Sequence, residues 1–332
     1  MCAYIVSDRT HTGAGLMGSN EKITILRMLE EGRITAEEAS RLIESAGKNH
    51  EPSQIRPASK ASVAVVSEEV TKQFDQKVTA KNAELSITGI NGAVLIKGYN
   101  GDKISAKVTY TPICADSSIP EFIVLGNKFV LSYNESDFSK VSVDAFVPEA
   151  LFSSIKVTCT NGTVNISSID TNVIEIENVN GLTELSNVVT EQLKCDTTNG
   201  NQRMANITAK SVISECFNAS VLASNVDAGD LRIAVLNGGL DLDVARFARY
   251  EDYLWELECN NGKLNLLLPS QPDAAYHVSA RAALAHVKIG LTGLNFTKNE
   301  NDVAEAKSHN FDLVRKKVRL KLEASNAPIT VN

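Results

Sequence analysis

Aromatic side chains are scarce, making up 5% of the 332 residues with Trp255 as the single tryptophan. A core built on large rings is therefore excluded, and small aliphatic residues must fill it. Basic charge is in deficit: 33 Lys and Arg against 40 Asp and Glu leave a net charge of −7. That excludes the basic footprint that nucleic-acid binding requires. No run approaches the roughly 18–20 apolar residues of a membrane span. The six cysteines (Cys2, Cys114, Cys159, Cys195, Cys216 and Cys259) contain no CxxC pair, so no zinc site is expected. The five histidines (His11, His50, His277, His286 and His309) are scattered and give no HExxH. Neither a cofactor nor a catalytic constellation is indicated.

The amino terminus lacks the basic start and the apolar stretch of about 7–15 residues that make a secretory signal. A cytoplasmic location is the default expectation, with the cell surface by a non-standard route as the alternative. Gly13, Gly15 and Gly18 satisfy GxGxxG, but no strand-to-helix crossover surrounds them, as a nucleotide site needs. Residues 1–18 read as an extension, with Met17 as a candidate start.

Residues 19–47 read as a helical hairpin. Ser19 and Asn20 cap a first helix with Ile23, Leu26, Met28 and Leu29 on one face, and Gly32 ends it. Thr35 and Glu38 form a capping box for a second helix with Ala39, Leu42 and Ile43, ended by Gly47. Helices this short need a surface to bury their apolar faces. A capping or dimerising module and a docking hairpin for a regulatory partner are both open. Residues 48–79, with Pro52, Pro57 and mixed charge, read as a linker.

What the chain has in abundance is asparagine, 28 residues, many before glycine. Asn-Gly stands at 161, 180, 199, 237 and 261, also at 91, and Asn218-Ala219 and Asn326-Ala327 fill the same place. From Asn161 to Asn237 the spacing is a constant 19 residues, the mark of a stacked repeat. Six residues before each Asn stand Ile155, Ile174, Leu193, Val212, Leu231 and Trp255; five after stand Ile166, Leu185, Met204, Ala223, Leu242 and Leu266. Alternate residues of a strand face opposite sides, so each coil offers one apolar face that only stacking can bury. The prediction is an all-β parallel β-helix over 80–332, a right-handed solenoid by the rule for parallel crossovers. Asn161, Asn180, Asn199, Asn218, Asn237 and Asn261 would form a corner ladder of side-chain hydrogen bonds. Residues 104–150 and 269–312 break the period and read as irregular insertions. Cys159, Cys195, Cys216 and Cys259 fall on inward positions and read as small core hydrophobes.

Three residues before each Asn is an outward position holding Glu177, Asp196 and Glu215 in succession. A salt-bridged, solvated face is one reading, with Lys194 and Arg232 as counter-charges. A calcium-binding strip on these three carboxylates is the other. The run Arg315, Lys316, Lys317, Arg319 and Lys321 alternates with apolar residues and reads as a strand face.

The segments SIKVTCTNGTVNISSI, VDAFVPEALFSSIKV, LECNNGKLNLLLP and VRLKLEASNAPITVN resemble the bacterial putative-adhesin family of β-strand repeat proteins over residues 80–332. The segment EKITILRMLEEGRITAEEASRLIESAG resembles the short helical domain that often precedes it. The resemblance implies a Gram-positive bacterial protein and a non-enzymatic interaction role, in some members tied to cell-envelope stress. It supplies no catalytic residues. Partners would be a protein, a second copy, or a glycan or other envelope component. A carbohydrate-active β-helix enzyme and a cytoplasmic regulator docking through the hairpin are the alternatives.

Overall fold

The computed structural model describes residues 68–332. The extension at 1–18, the hairpin at 19–47 and the GxGxxG match lie outside the described residues. Within them the chain is all-β, with one 3-10 turn at Glu135–Asp137. Among the described residues no helix is long and apolar enough to cross a membrane.

The first strands are β1 (Val70–Lys77), β2 (Ala83–Ile90), β3 (Val94–Tyr99), β4 (Lys103–Pro112), β5 (Glu121–Leu125), β6 (Lys128–Ser132) and β7 (Phe138–Pro148). β2 and β3 flank Asn91 and make the first coil. Its outer edge is covered: β7 runs parallel to β3, β4 antiparallel to β7, and β1 antiparallel to β4. β6 lies parallel to β2 and forms a hairpin with β5. The expected linker at 48–79 is therefore corrected at its end, because β1 pairs with β4 along its whole length. The sequence VTKQFDQK keeps only Phe74 and Lys72 half-buried, too little alternation to mark a strand on periodicity alone.

The regular coils follow in β8 (Phe152–Thr160), β9 (Val164–Asn180), β10 (Thr183–Asn199), β11 (Gln202–Asn218), β12 (Val221–Val235), β13 (Leu240–Asp243), β14 (Asp252–Cys259) and β15 (Leu264–Leu267). Every contact between neighbours is parallel and in step with the repeat: Ile166 lies beside Leu185, and Leu185 beside Met204. β9, β10 and β11 each run 17 residues without a break. Each of these coils is thus a single strand from one Asn corner to the next. The strand bends at left-handed residues, Ser168, Asn187, Asn206 and Asn225 (φ 57, 54, 57 and 53°).

The remaining strands are β16 (Ala274–Ala282), β17 (Val287–Ile289), β18 (Leu294–Asn299), β19 (Val303–Ser308), β20 (Lys316–Ala324) and β21 (Ile329–Val331). β20 and β21 stack directly on β14 and β15. β16 and β17 then stack on the far side of β20 and β21. The last coil in sequence is therefore inserted between two earlier ones. Residues 269–312 are irregular only in part, since 274–289 form a coil and 294–308 a hairpin antiparallel to β16.

The core is one column of aliphatic side chains running through the coils. Polar and aromatic side chains interrupt it in places, among them Asn178, which donates from Nδ2 to Thr183 Oγ1 and to the Gly162 and Leu182 carbonyls. Near the middle, Gln202 donates from Nε2 to the Cys195 carbonyl and to Thr197 Oγ1 (both 3.0 Å), and accepts from Ser214 Oγ. Further along, the loop before β14 folds Phe247 over Tyr253, Trp255 and Tyr276. Asp227 ties that loop down, accepting from Tyr253 Oη (2.9 Å) and from the Ala248 and Arg249 amides. Trp255 donates to the Ala228 carbonyl. One group of aromatics thus gathers where the period lengthens from 19 to 24 residues between Asn237 and Asn261, and a second lies in the amino-terminal cap, where Phe138 meets Tyr110 and Tyr133 and Phe129 meets Phe152.

Candidate functional site

The Asn corner is continuous through the stack. Asn161 donates to Asn91, Asn180 to Asn161, Asn199 to Asn180, Asn218 to Asn199, Asn237 to Asn218, Asn261 to Asn237 and Asn326 to Asn261, each from Nδ2 to Oδ1. Asn91 ends the row by donating to the Ser139 carbonyl at 2.8 Å. Where glycine stands at this corner the backbone leaves no room for a side chain, whereas Ala219 and Ala327 are accommodated at theirs. Gly200 sits at φ +140°, and a Cβ there would lie 1.9 Å from the Gly181 carbonyl oxygen. A second row links Asn225 to Asn206 and Asn206 to Asn187. Sequence reasoning missed this row, although three asparagines at the same 19-residue spacing were there to show it. Both rows are scaffolding: their side chains are spent on each other.

The outward column is ordered by the same register. Asp196 lies between Glu177 and Glu215 on adjacent strands, so the carboxylates stand about 4.8 Å apart along the stack. Lys156 reaches Glu177 (3.3 Å) and Glu175 (3.5 Å), and Lys194 reaches Asp196 (3.0 Å). Those carboxylates hold both lysines above their usual pKa, through the hydrogen bonds first and the charge second. The three carboxylates stand parallel rather than turning toward one point. Among the described residues no group of three or more His, Cys, Asp or Glu side chains could hold a metal ion. A calcium strip is therefore poorly served here: calcium needs several oxygens converging on it.

Beside this column lies an open trough of about 340 Å³ with an acidic rim, Asp196, Glu215 and Glu258, and an apolar bed that includes Phe217, Ala234 and Leu236. Phe217 is 52% exposed. The basic run at the other end is neutralised: Arg315 meets Glu251, Lys316 meets Asp273, Arg319 meets Asp252 and Lys321 meets Glu323.

The nucleophile candidates are disabled by burial. Cys159, Cys195, Cys216 and Cys259 are free and buried, and Cys114 is exposed. Desolvation pushes the thiols of Cys159, Cys216 and Cys259 up to about 11 and holds that of Cys195 well above its usual value. A thiol held neutral is neither nucleophile nor metal ligand. His277 stands 3.9 Å from Glu305 and edge-on to Phe311, with no nucleophile in the arrangement.

A stack of parallel coils whose outer side chains form straight columns defines a β-solenoid-like repeat protein. The chain matches Toastrack DUF4097 over residues 51–316 and belongs to that family. Residues 20–49 match a SHOCT-like domain. A search of curated proteins finds no match. Solved structures similar to this chain include a putative cell adhesion protein from Clostridium sporogenes, at 11% identity over 80% of this chain and 98% of that one, with a TM-score of 0.26. Another is a putative lipid binding protein from Parabacteroides distasonis, at 14% identity over 80% and 96%, with a TM-score of 0.43. A third is a putative adhesin from Bacteroides fragilis, at 13% identity over 80% and 97%, with a TM-score of 0.40.

Proposed function

We propose that this chain is a non-enzymatic, adhesin-like interaction protein that offers a solenoid face to a protein or glycan of the bacterial cell envelope. The observation that supports this most directly is the outer face of β9–β12 and β14. Its charged and apolar side chains stand in parallel columns, with the Phe217 trough beside the Glu177–Asp196–Glu215 row. Columns bind by extended contact, as solenoid faces do, whereas catalysis requires groups converging on one reacting atom. On this reading the coil is right-handed, residues 19–47 form a helical hairpin that docks or dimerises, and the protein acts in an envelope stress response, meeting a protein partner from the cytoplasm or a glycan from the cell surface.

Two measurements test it. Purified full-length chain is applied to glycan and envelope-extract arrays and to polyuronate substrates. Retention that Phe217→Asp reduces at least tenfold, with no polymer cleavage, supports the reading; cleavage overturns it. Fractionation with protease shaving of intact cells tests the location. Full protection supports the cytoplasm, and loss on shaving moves the solenoid outside.

A further inference from the structure

Most asparagines of the corner ladder are followed by glycine: Asn91, Asn161, Asn180, Asn199, Asn237 and Asn261. Their side chains are held alike, each donating one ladder bond and accepting another. The backbone divides them. At Asn161, Asn180 and Asn199 the following glycine is tied into the stack. Gly162 donates its N–H to the Asn180 carbonyl (2.8 Å), Gly181 to that of Asn199 (2.8 Å) and Gly200 to that of Asn218 (3.2 Å). At Asn91, Asn237 and Asn261 the asparagine's own amide donates instead, to the carbonyls of Thr160 (2.7 Å), Phe217 (2.8 Å) and Leu236 (3.0 Å). Among the described residues the amides of Gly92, Gly238 and Gly262 donate to no carbonyl.

Backbone conformation does not make the same division. Asn91 and Asn161 are both left-handed (φ 49 and 56°), and so are Gly238, Gly181 and Gly200 (φ 156, 141 and 140°).

We propose that Asn91, Asn237 and Asn261 are sites of spontaneous deamidation in the folded protein, and that the bonded glycine amide protects Asn161, Asn180 and Asn199. Solvent base removes the glycine amide proton, and the nitrogen attacks the asparagine Cγ. The N–Cγ bond forms, the Cγ–Nδ2 bond breaks, and Nδ2 leaves as ammonia with its added proton from water. Water then adds to one carbonyl of the cyclic imide and breaks its C–N bond, leaving aspartate or isoaspartate. Water is the sole co-reactant. Glycine has no side chain to shield the attacking nitrogen. An N–H held by a carbonyl gives up its proton only when the stack opens locally. The product alters the ladder, because a carboxylate accepts but cannot donate. Conversion of Asn261 removes its bond to Asn237, conversion of Asn237 its bond to Asn218, and conversion of Asn91 its bond to the Ser139 carbonyl. The ladder is eroded toward both ends while its middle holds. This inference concerns the corner and not the outer face, so either can fail alone.

Peptide mapping by mass spectrometry on the full chain, kept folded in mildly alkaline buffer, tests it. Samples are read once Asn100, which precedes Gly101 in the exposed connection between β3 and β4, has converted. Asn91, Asn237 and Asn261 are each expected to convert at least about tenfold faster than Asn161, Asn180 and Asn199. In urea, where every glycine amide is solvated, the rates should converge. Hydrogen exchange on fresh protein should rank the amides alike, with Gly92, Gly238 and Gly262 ahead of Gly162, Gly181 and Gly200. The proposal is overturned if any of Asn161, Asn180 or Asn199 converts as fast as one of the other three in the folded chain. It also fails if those three stay intact while Asn100 converts, or if their lead persists in urea.

Discussion

Between Asn161 and Asn218 each coil repeats its predecessor residue for residue, with every neighbour parallel and in step. From Val70 to Pro148 parallel and antiparallel pairings are mixed, and β6 and β7 each meet one strand parallel and another antiparallel. The difference lies in what each region must exclude. A coil in the middle has a neighbour on both sides, so its backbone groups are satisfied by repetition. At the first coil the next neighbour is missing, and repetition would leave an open edge. There β6 and β7 add one more parallel layer, and the antiparallel strands β5, β4 and β1 lie beyond it.

Truncating the core should separate the regions most strongly. Ile176→Ala, in the regular coils, is expected to cost about 2–5 kcal/mol in a urea melt. Leu131→Ala, in the cap hairpin, should fall at the low end of that range because β5 beyond it is half open. Equal costs would mean that cap and coil are packed alike.

Glycine substitutions sharpen the contrast. Gly200→Ala forces a side chain onto the Gly181 carbonyl in a left-handed backbone, with an expected loss of about 3 kcal/mol. Gly126, at the tip of the cap hairpin, has φ +65° and nothing within 4 Å of an added Cβ. Gly126→Ala should cost only about 1 kcal/mol. Asn199→Ala breaks two rungs of the ladder and should cost about 1–2 kcal/mol at the usual net value of a hydrogen bond.

The cysteines report on the same division. Cys114 in the cap should react with a thiol reagent in the native state, and the four buried thiols of the coils only on unfolding. Burial raises the folded thiol pKa of Cys159, Cys216 and Cys259 from 9.0 to about 11. Between those values the unfolded chain ionises and the folded chain does not. Stability is therefore undiminished below pH 9 and falls as pH rises toward 11. Cys259→Ala should flatten that alkaline slope. The smallest effect is expected at the surface: Lys194→Ala should change stability by less than about 0.5 kcal/mol, and millimolar calcium should leave the melting temperature unmoved. A calcium-induced rise would restore the strip reading of Glu177, Asp196 and Glu215.

The coils were legible because a fixed 19-residue period states the same pattern several times, so chance alternation is averaged away. The caps state theirs once. β1 was hidden because an edge strand covered on one side needs few apolar residues, and Phe74 alone does not make a period. The stacking order of 274–289 and 316–331 was hidden for a different reason. Each segment carries strand alternation, but nothing in either names its neighbour. At the candidate site the sequence placed the acidic column on one outward row. It did not reveal the trough beside Phe217, which depends on how four coils lie together.

The inserted last coil makes the molecule's order of assembly differ from its order of synthesis. β16 and β17 emerge before their seat exists, because the surface they stack upon is β20 and β21. A growing chain can zip coil upon coil as far as Asn261, and there it must wait. Residues 316–331 act as a keystone: slid in last, they join the finished column to the end piece already made. A chain stopped short of them would keep a serviceable middle and carry two unmatched surfaces, one at the top of the column and one on the stranded end. Quality control in the cell would have a single, late event to watch.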